Sequence, residues 1–162
     1  MKRVLIIGAN SPLGRCLCAE FHRQGWYVIA LVRNTSRAKS LSADQLVEAR
    51  FADPVSLKGV MSGVTLVVSC LGIKHRSDAV EGWHIDYSTQ LNLLREAERA
   101  AVEQFIYADQ LHGLSSSHAM HVLRLASGAE PQTQQHQNQF ETALAAKPAM
   151  RIHYLNSERT KL

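Results

Sequence analysis

The chain is poor in cysteine and has no long apolar run. Its three cysteines, Cys16, Cys18 and Cys70, are an odd number in 162 residues, and the first residues carry no signal-peptide pattern. This usage indicates a reducing compartment rather than a disulfide-stabilised secreted domain. No apolar stretch approaches the roughly 18 residues that mark a membrane-spanning helix. We therefore expect a cytoplasmic protein without a membrane contact.

Concentrated positive charge and metal-ligand clusters are absent as well. Lys and Arg number 18 against 14 Asp and Glu, a formal net charge of +4, but they form no run along a helix face. Nucleic-acid binding is therefore not expected. Among eight histidines, His118 and His121 have a helical spacing but lack a third ligand at metal-site spacing. Because zinc needs three or four defined ligands, we expect no metal site.

What the chain has is a regular alternation of apolar strands and helical segments. The length of 162 residues favours one domain over residues 1–162. Strands are expected at residues 1–7, 26–32, 46–51, 63–71, 104–108 and 150–155, and helices at 12–24, 53–61, within 82–101 and at 140–146. This alternation predicts an α/β fold, a Rossmann-type doubly wound parallel sheet in three layers with strand order 3-2-1-4-5. For residues 114–139, rich in Ser, His and Gln, a helix and a mobile segment both remain open.

The first strand runs directly into a glycine-punctuated turn. Residues 4–14 read V-L-I-I-G-A-N-S-P-L-G, with Gly8, Ser11 and Gly14 in the three positions of a dinucleotide-binding turn. A helix that begins after such a turn directs backbone N–H groups and its positive end towards a pyrophosphate. The middle position usually has no side chain, so the Ser11 hydroxyl either bonds the phosphate or its β-carbon holds the ligand further out. The arrangement predicts dinucleotide binding.

The end of the second strand bears on which dinucleotide binds. Residues 32–37 read V-R-N-T-S-R, and no Asp or Glu is present from Val32 to Lys39. An acidic residue at this point binds the ribose hydroxyls of NAD, whereas a guanidinium suits the 2′-phosphate of NADP. Arg33, with Arg37 close behind, therefore predicts NADP, with NAD as the second choice.

These segments together resemble the short-chain dehydrogenase/reductase superfamily, in particular its atypical, NmrA-like or NAD(P)H-binding branch. The resemblance extends over residues 2–113 and rests also on V-V-S-C-L-G-I at 67–73, H-I-D-Y-S-T-Q-L-N-L-L-R-E-A at 84–97 and Q-F-I-Y-A-D at 104–109. It implies roles by position. The coenzyme would be held by Gly8, Asn10, Ser11, Leu13 and Gly14 at the diphosphate, by Arg33 and Arg37 at the 2′-phosphate, and by Cys70, Leu71 and Gly72 along its length.

The sequence also departs from that pattern. The family's adenine-contacting Asp after the third strand is replaced by Arg50 or Phe51, and none of the tyrosines begins a Tyr-x-x-x-Lys pair. Asp109, which ends the fifth strand, is the one catalytic candidate, with His112 as a partner, and a solvated loop carboxylate is the alternative. Cys70 is either a redox-sensitive thiol beside the nicotinamide or a small buried residue.

Two functions follow from these observations. The superfamily implies an NADP(H)-dependent oxidoreductase acting on an unknown small substrate. The missing Tyr-Lys pair and the absence of the family's C-terminal substrate part favour instead a non-catalytic NADP(H) sensor that acts through protein contacts, or a truncated inactive copy. The resemblance also implies that the helix within residues 82–101 provides a homodimer face.

Overall fold

The computed structural model describes residues 2–35, 40–73, 84–85, 87–109, 115–128 and 150–156. Within them the strands are β1 (Arg3–Ile7), β2 (Tyr27–Val32), β3 (Gln45–Glu48), β4 (Leu66–Ser69), β5 (Gly72–Ile73), β6 (His84–Ile85), β7 (Gln104–Asp109) and β8 (Arg151–Asn156). The helices are α1 (Pro12–Arg23), α2 (Pro54–Leu57), α3 (Tyr87–Arg99) and α4 (Ser115–Ser127).

The long strands form one parallel sheet. Its six strands lie in the order β3-β2-β1-β4-β7-β8, and a separate two-stranded pair joins β5 to β6. Every neighbouring pair in the larger sheet runs parallel. The fifth and sixth strands of the prediction correspond to β7 and β8. The predicted order 3-2-1-4-5 is therefore confirmed, and β8 lies beside β7.

Helices cover both faces of this sheet, which is why its central strands are apolar throughout. On one face, alternate residues of β1 and β2 pack with α2 and α3 in a cluster that includes Leu5, Leu31 and Leu94. On the other face, Val4 and Ala30 pack with α1 and α4. The three layers expected from the sequence are therefore present.

Several boundaries differ from the prediction. The third strand, expected at 46–51, is Gln45–Glu48. Ala49, whose N–H still bonds to the Val32 carbonyl, and Phe51 are buried just beyond its end. The second helix has only the four residues Pro54–Leu57, although Asp53 caps it as expected. The third helix, expected within 82–101, ends at Arg99, and Ala101 is exposed with φ of +59° just beyond it.

The segment left open after residue 113 is partly settled. Residues 115–127 form α4, and Ala119 and Val122 pack against the sheet. Residues 114 and 129–139 and the helix expected at 140–146 lie outside the described residues.

A buried carboxylate connects α3 with the turn that follows α2. Glu96 accepts hydrogen bonds from the Gly59 N–H at 2.9 Å and from Arg99 Nε at 2.9 Å, and only 7% of it is exposed. Burial alone would raise the pKa of Glu96, but the hydrogen bonds from Arg99 and Gly59 and the nearby charges of Arg99 and Lys58 hold it below its ordinary value. The carboxylate stays ionised, so α2 and α3 are held together on one face of the sheet.

At the amino edge of the sheet, a glutamine joins β7, β8 and α4. The Gln104 amide nitrogen donates to the Leu125 carbonyl at 3.1 Å and lies 2.9 Å from His153 Nε2. An amide nitrogen has hydrogens but no free acceptor site, so His153 Nε2 must accept and the imidazole is neutral with its proton on Nδ1. Burial, together with the charge of Arg151, lowers the pKa of His153 below 6.5.

This histidine predicts a pH dependence of stability. The unfolded chain binds a proton at His153 near pH 6.5, whereas the folded protein binds it only at lower pH. The free energy of unfolding should therefore fall as the pH drops below about 6.5, and His153→Gln should remove this part of the fall. Urea unfolding between about pH 5 and 7.5 measures it. His22 is exposed, so His22→Gln is the control and should keep the wild-type dependence of the unfolding free energy on pH. The same dependence in His153→Gln would refute the role given to His153.

Candidate functional site

The turn between β1 and α1 lies against the end of β4. Gly8 has φ of +77°, and a β-carbon on it would lie 2.8 Å from Leu71 Cδ2. Cys70 N donates to the Ile7 carbonyl at 2.9 Å, which keeps the two strand ends level. Only glycine combines this backbone conformation with such a close neighbour.

Ser11 shapes the turn through both functions of its hydroxyl. It donates to the Gly8 carbonyl at 2.8 Å and accepts from the Gly14 N–H at 3.0 Å, and only 5% of the residue is exposed. Through the bond from Gly14, Ser11 caps α1, whose first residue is Pro12. Since the hydroxyl has one proton, and the Gly8 carbonyl and the Cys70 thiol both lie within its reach, a bond from it to a phosphate would replace a bond within the protein.

Gly14 sets how closely α1 approaches the turn. A β-carbon there would lie 2.3 Å from the Gly8 carbonyl oxygen and 2.7 Å from Ala9 Cα. Both neighbours are backbone atoms, so no side-chain rotation can relieve the contact. The third glycine position is therefore required for helix packing, as the sequence pattern indicated.

The helix end presents backbone donors towards the carboxyl edge of the sheet. Gly14 N–H is bonded to Ser11 and Arg15 N–H to the Ser11 carbonyl. Within the described residues, the N–H groups of Asn10 and Leu13 bond to no other backbone group. Two such donors at the positive end of a 12-residue helix form a site that suits an anionic phosphate.

Arg15 is a member of this site that the sequence analysis missed. Its Nε lies 3.3 Å from the Asn10 carbonyl oxygen, and its terminal nitrogen lies 3.3 Å from Asn10 Oδ1. The guanidinium thus holds Asn10 and adds positive charge beside the turn. Its position directly after Gly14, in the first turn of the helix, was the available signal.

Arg33 follows β2, the strand next to β1, and its guanidinium packs over an aromatic ring. The Arg33 Cζ lies 5.6 Å from the centroid of Phe51, which is 3% exposed and anchored in the core. Burial lowers the pKa of Arg33, a group that stays protonated in proteins. The ring supports a cation at the carboxyl end of β2. Arg37 lies outside the described residues, so its predicted role stays a prediction.

Glu48 is a second residue the sequence analysis missed. It ends β3 and pairs with Val32 in the register of the sheet. Its Oε1 accepts from the Thr35 backbone N–H at 2.9 Å and from the Thr35 hydroxyl at 3.2 Å. An acidic side chain thus contacts the segment after β2, but it comes from the neighbouring strand. Only the strand register places it there.

Cys70 and Leu71 line the end of β4. Burial of the Cys70 thiol raises its pKa, helped by nearby Cys18 and opposed by a hydrogen bond with Ser11. Burial likewise raises the pKa of Cys18 to about 12. A raised pKa leaves little thiolate at neutral pH, which weighs against a reactive Cys70, but the residue itself is only half-buried. Leu71 is buried against Gly8, and Gly72 begins β5.

Asp109 is the last residue of β7 and pairs with Asn156 of β8. The carboxyl ends of parallel strands share one edge of a sheet, so this backbone position lies on the same edge as the turn after β1. His112, its expected partner, lies outside the described residues. The acid/base role of Asp109 stays a prediction.

These features define a Rossmann domain that binds a nicotinamide dinucleotide. They are the glycine turn at the start of α1, the Arg33 cation after β2, and the carboxyl edge of the sheet on which both lie. Comparison with known proteins agrees with this class. Residues 8–152 match the family described as NAD(P)H-binding. The chain belongs to this family, and the resemblance to the atypical short-chain dehydrogenase/reductase superfamily is confirmed.

Curated relatives match over the same part of the chain. The photosystem II assembly factor Ycf39 of Synechocystis is 25% identical over 107 residues, which are 65% of this chain and 32% of that protein. The chloroplastic divinyl chlorophyllide a 8-vinyl-reductase of Arabidopsis thaliana is 27% identical over 117 residues, 64% of this chain and 28% of that protein. The chain therefore spans about a third of the length of these relatives.

Solved structures share the fold. A UDP-glucose-4-epimerase from Stenotrophomonas maltophila with bound NAD superposes with a TM-score of 0.64 at 14% identity, covering 96% of this chain and 52% of that one. A putative NAD-dependent epimerase/dehydratase from Bacillus halodurans superposes with a TM-score of 0.63 at 20% identity, covering 96% of this chain and 70% of that one.

Two further findings concern the described residues only. None of their helices is long and apolar enough to cross a bilayer. No three of their His, Cys, Asp or Glu side chains are grouped as metal ligands would be.

Proposed function

We propose that the chain binds NADP(H) in preference to NAD(H). The observation that carries this proposal is the Arg33 guanidinium, supported by Phe51 at 5.6 Å at the carboxyl end of β2. A guanidinium forms two parallel charge-assisted bonds with a phosphate and has no acceptor to offer ribose hydroxyls. The segment from Val32 to Lys39 has no acidic side chain of its own.

The diphosphate would lie over the start of α1. The N–H groups of Asn10 and Leu13 would donate to its oxygens, while Gly8, Ser11 and Gly14 hold the turn in the conformation that directs them there. Arg15 would fix Asn10 and add a second positive charge. Cys70, Leu71 and Gly72 would follow the coenzyme along the end of β4.

We further propose that this domain serves an oxidoreductase with a small-molecule substrate. The similarity to a vinyl-reductase supports a reduction. When bound, the nicotinamide supplies or accepts a hydride. Asp109 would hold or move the accompanying proton at its carboxylate, since its backbone lies at the carboxyl edge where the β1 turn also lies.

Calorimetry and turnover test these proposals together. Titration should show NADPH binding more tightly than NADH, and NADPH should be oxidised in the presence of a carbonyl, quinone or flavin acceptor. Asp109→Asn should keep the binding and lose the turnover. Tight NADPH binding without turnover on any of these acceptors would contradict the oxidoreductase and favour a non-catalytic sensor. Equal affinity for both coenzymes would contradict the preference.

A further inference from the structure

The contact between Glu48 and Thr35 spans the two strands that flank the Arg33 segment. Val32 and Glu48 are register partners at the ends of β2 and β3. One carboxylate oxygen of Glu48 accepts both donors of Thr35, the backbone N–H at 2.9 Å and the hydroxyl at 3.2 Å. Thr35 lies two residues after Arg33, so the bond closes a short loop that has Arg33 within it.

The sheet ladder holds the base of this loop. The Ala49 N–H, one residue past the end of β3, donates to the carbonyl of Val32, the last residue of β2, at 3.0 Å. Beyond Val32 the backbone leaves the sheet, and the two bonds from Thr35 to the Glu48 carboxylate connect it to β3 again. Ordering a loop when a ligand binds reduces the affinity. Arg33 therefore contributes more to binding if its segment is already held in the bound conformation.

We propose that Glu48 is a positioning residue for coenzyme selectivity. It fixes the segment after β2 so that the Arg33 guanidinium, seated over Phe51, meets the 2′-phosphate of NADP(H). The inference rests on the proposed NADP(H) site and extends it by one residue. A carboxylate directly at the end of β2 would bind ribose hydroxyls; here the carboxylate comes from β3, and one of its oxygens is used by the protein itself.

Two substitutions separate the acceptor from the charge. Glu48→Gln keeps a side-chain oxygen for Thr35 and removes the negative charge, whereas Glu48→Ala removes the acceptor. Glu48 and Thr35 are both exposed, so the fold does not depend on the contact between them. Asp44→Ala is the matched control: its carboxylate accepts from the Val28 N–H at 2.8 Å, at the opposite end of the same strand pair.

Calorimetry with NADPH and NADH is the measurement, with thermal unfolding to follow the fold. We expect Glu48→Ala to weaken NADPH binding about 5- to 10-fold and to change NADH binding less than about twofold. Glu48→Gln should restore NADPH binding to within about twofold of the wild type, and Asp44→Ala should leave both coenzymes within the same limit.

Three results would overturn the inference. Unchanged NADPH binding in Glu48→Ala would show that the contact positions nothing. An equal loss for both coenzymes would show that Glu48 touches the part they share. Tighter NADPH binding in Glu48→Gln would show that the charge repels the phosphate. Failure of the proposed function is distinct, because it appears in the wild-type titrations alone, as binding of neither coenzyme or as equal affinity for both.

Discussion

Arg33→Ala is expected to weaken NADPH binding about 10- to 100-fold, since hydrogen bonds to charged groups contribute about 1.5–3 kcal/mol. NADH has no 2′-phosphate, so its binding should change by less than about twofold. The Arg33 side chain lies on the surface over Phe51, and its removal leaves the core intact. Calorimetric titration of both coenzymes measures the ratio directly.

Arg23→Ala is the control for the loss of one positive charge. Arg23 lies at the far end of α1, where it pairs with Glu20. A general effect of net charge would weaken NADPH binding in both variants, whereas a local contact affects Arg33→Ala alone. If Arg33→Ala loses NADPH and NADH equally, Arg33 does not recognise the 2′-phosphate.

Gly14→Ala should destabilise the protein by about 3 kcal/mol and abolish measurable coenzyme binding. In an ordinary helix interior, alanine is favoured over glycine by about 1 kcal/mol, so helix propensity alone gives the opposite sign. The β-carbon would lie 2.3 Å from the Gly8 carbonyl oxygen, and α1 can avoid it only by moving away from the turn. That movement would displace the Asn10 and Leu13 donors. Denaturant unfolding and calorimetry measure the two effects.

Gly25→Ala separates lost stability from lost binding. Gly25 has φ of +87° and nothing within 4 Å of an added β-carbon. The left-handed conformation costs alanine about 1 kcal/mol, but the site is at the other end of α1. Gly25→Ala should therefore be less stable and still bind NADPH as the wild type does. A Gly14→Ala variant as stable as the wild type would refute the close approach of helix and turn.

The fold could be predicted from the sequence because its signals are local. Apolar strands that alternate with helices along much of the chain favour a parallel sheet, and Ser11-Pro12 and Gly25 mark the ends of α1. The turn glycines were recognisable for the same reason. The end of the third strand was mispredicted because a buried residue need not belong to a strand. Phe51 lies beyond β3, where it fills the core and supports Arg33.

The parts of the site that escaped prediction depend on contacts between distant segments. The contact of Glu48 with Thr35 spans 13 positions and needs the exact register of β2 against β3. The bonds of the Ser11 hydroxyl with Gly8 and Gly14 likewise depend on the folded turn, and its role towards the phosphate stays a prediction. Arg15 was nearer in sequence, but its bonds to Asn10 follow from the direction of a long side chain, which composition does not indicate.

The central claim is that the N–H groups at the start of α1, together with Arg33, bind the coenzyme. Amide chemical-shift mapping of isotope-labelled protein during titration with NADPH and then NADH tests it most directly. We expect saturable shifts at Asn10 and Leu13 with both coenzymes, and shifts at Arg33 and Thr35 that are much larger with NADPH. Saturable binding with shifts confined to the amino edge of the sheet, around Lys2 and Gln104, would contradict the claim, as would no shift with either coenzyme.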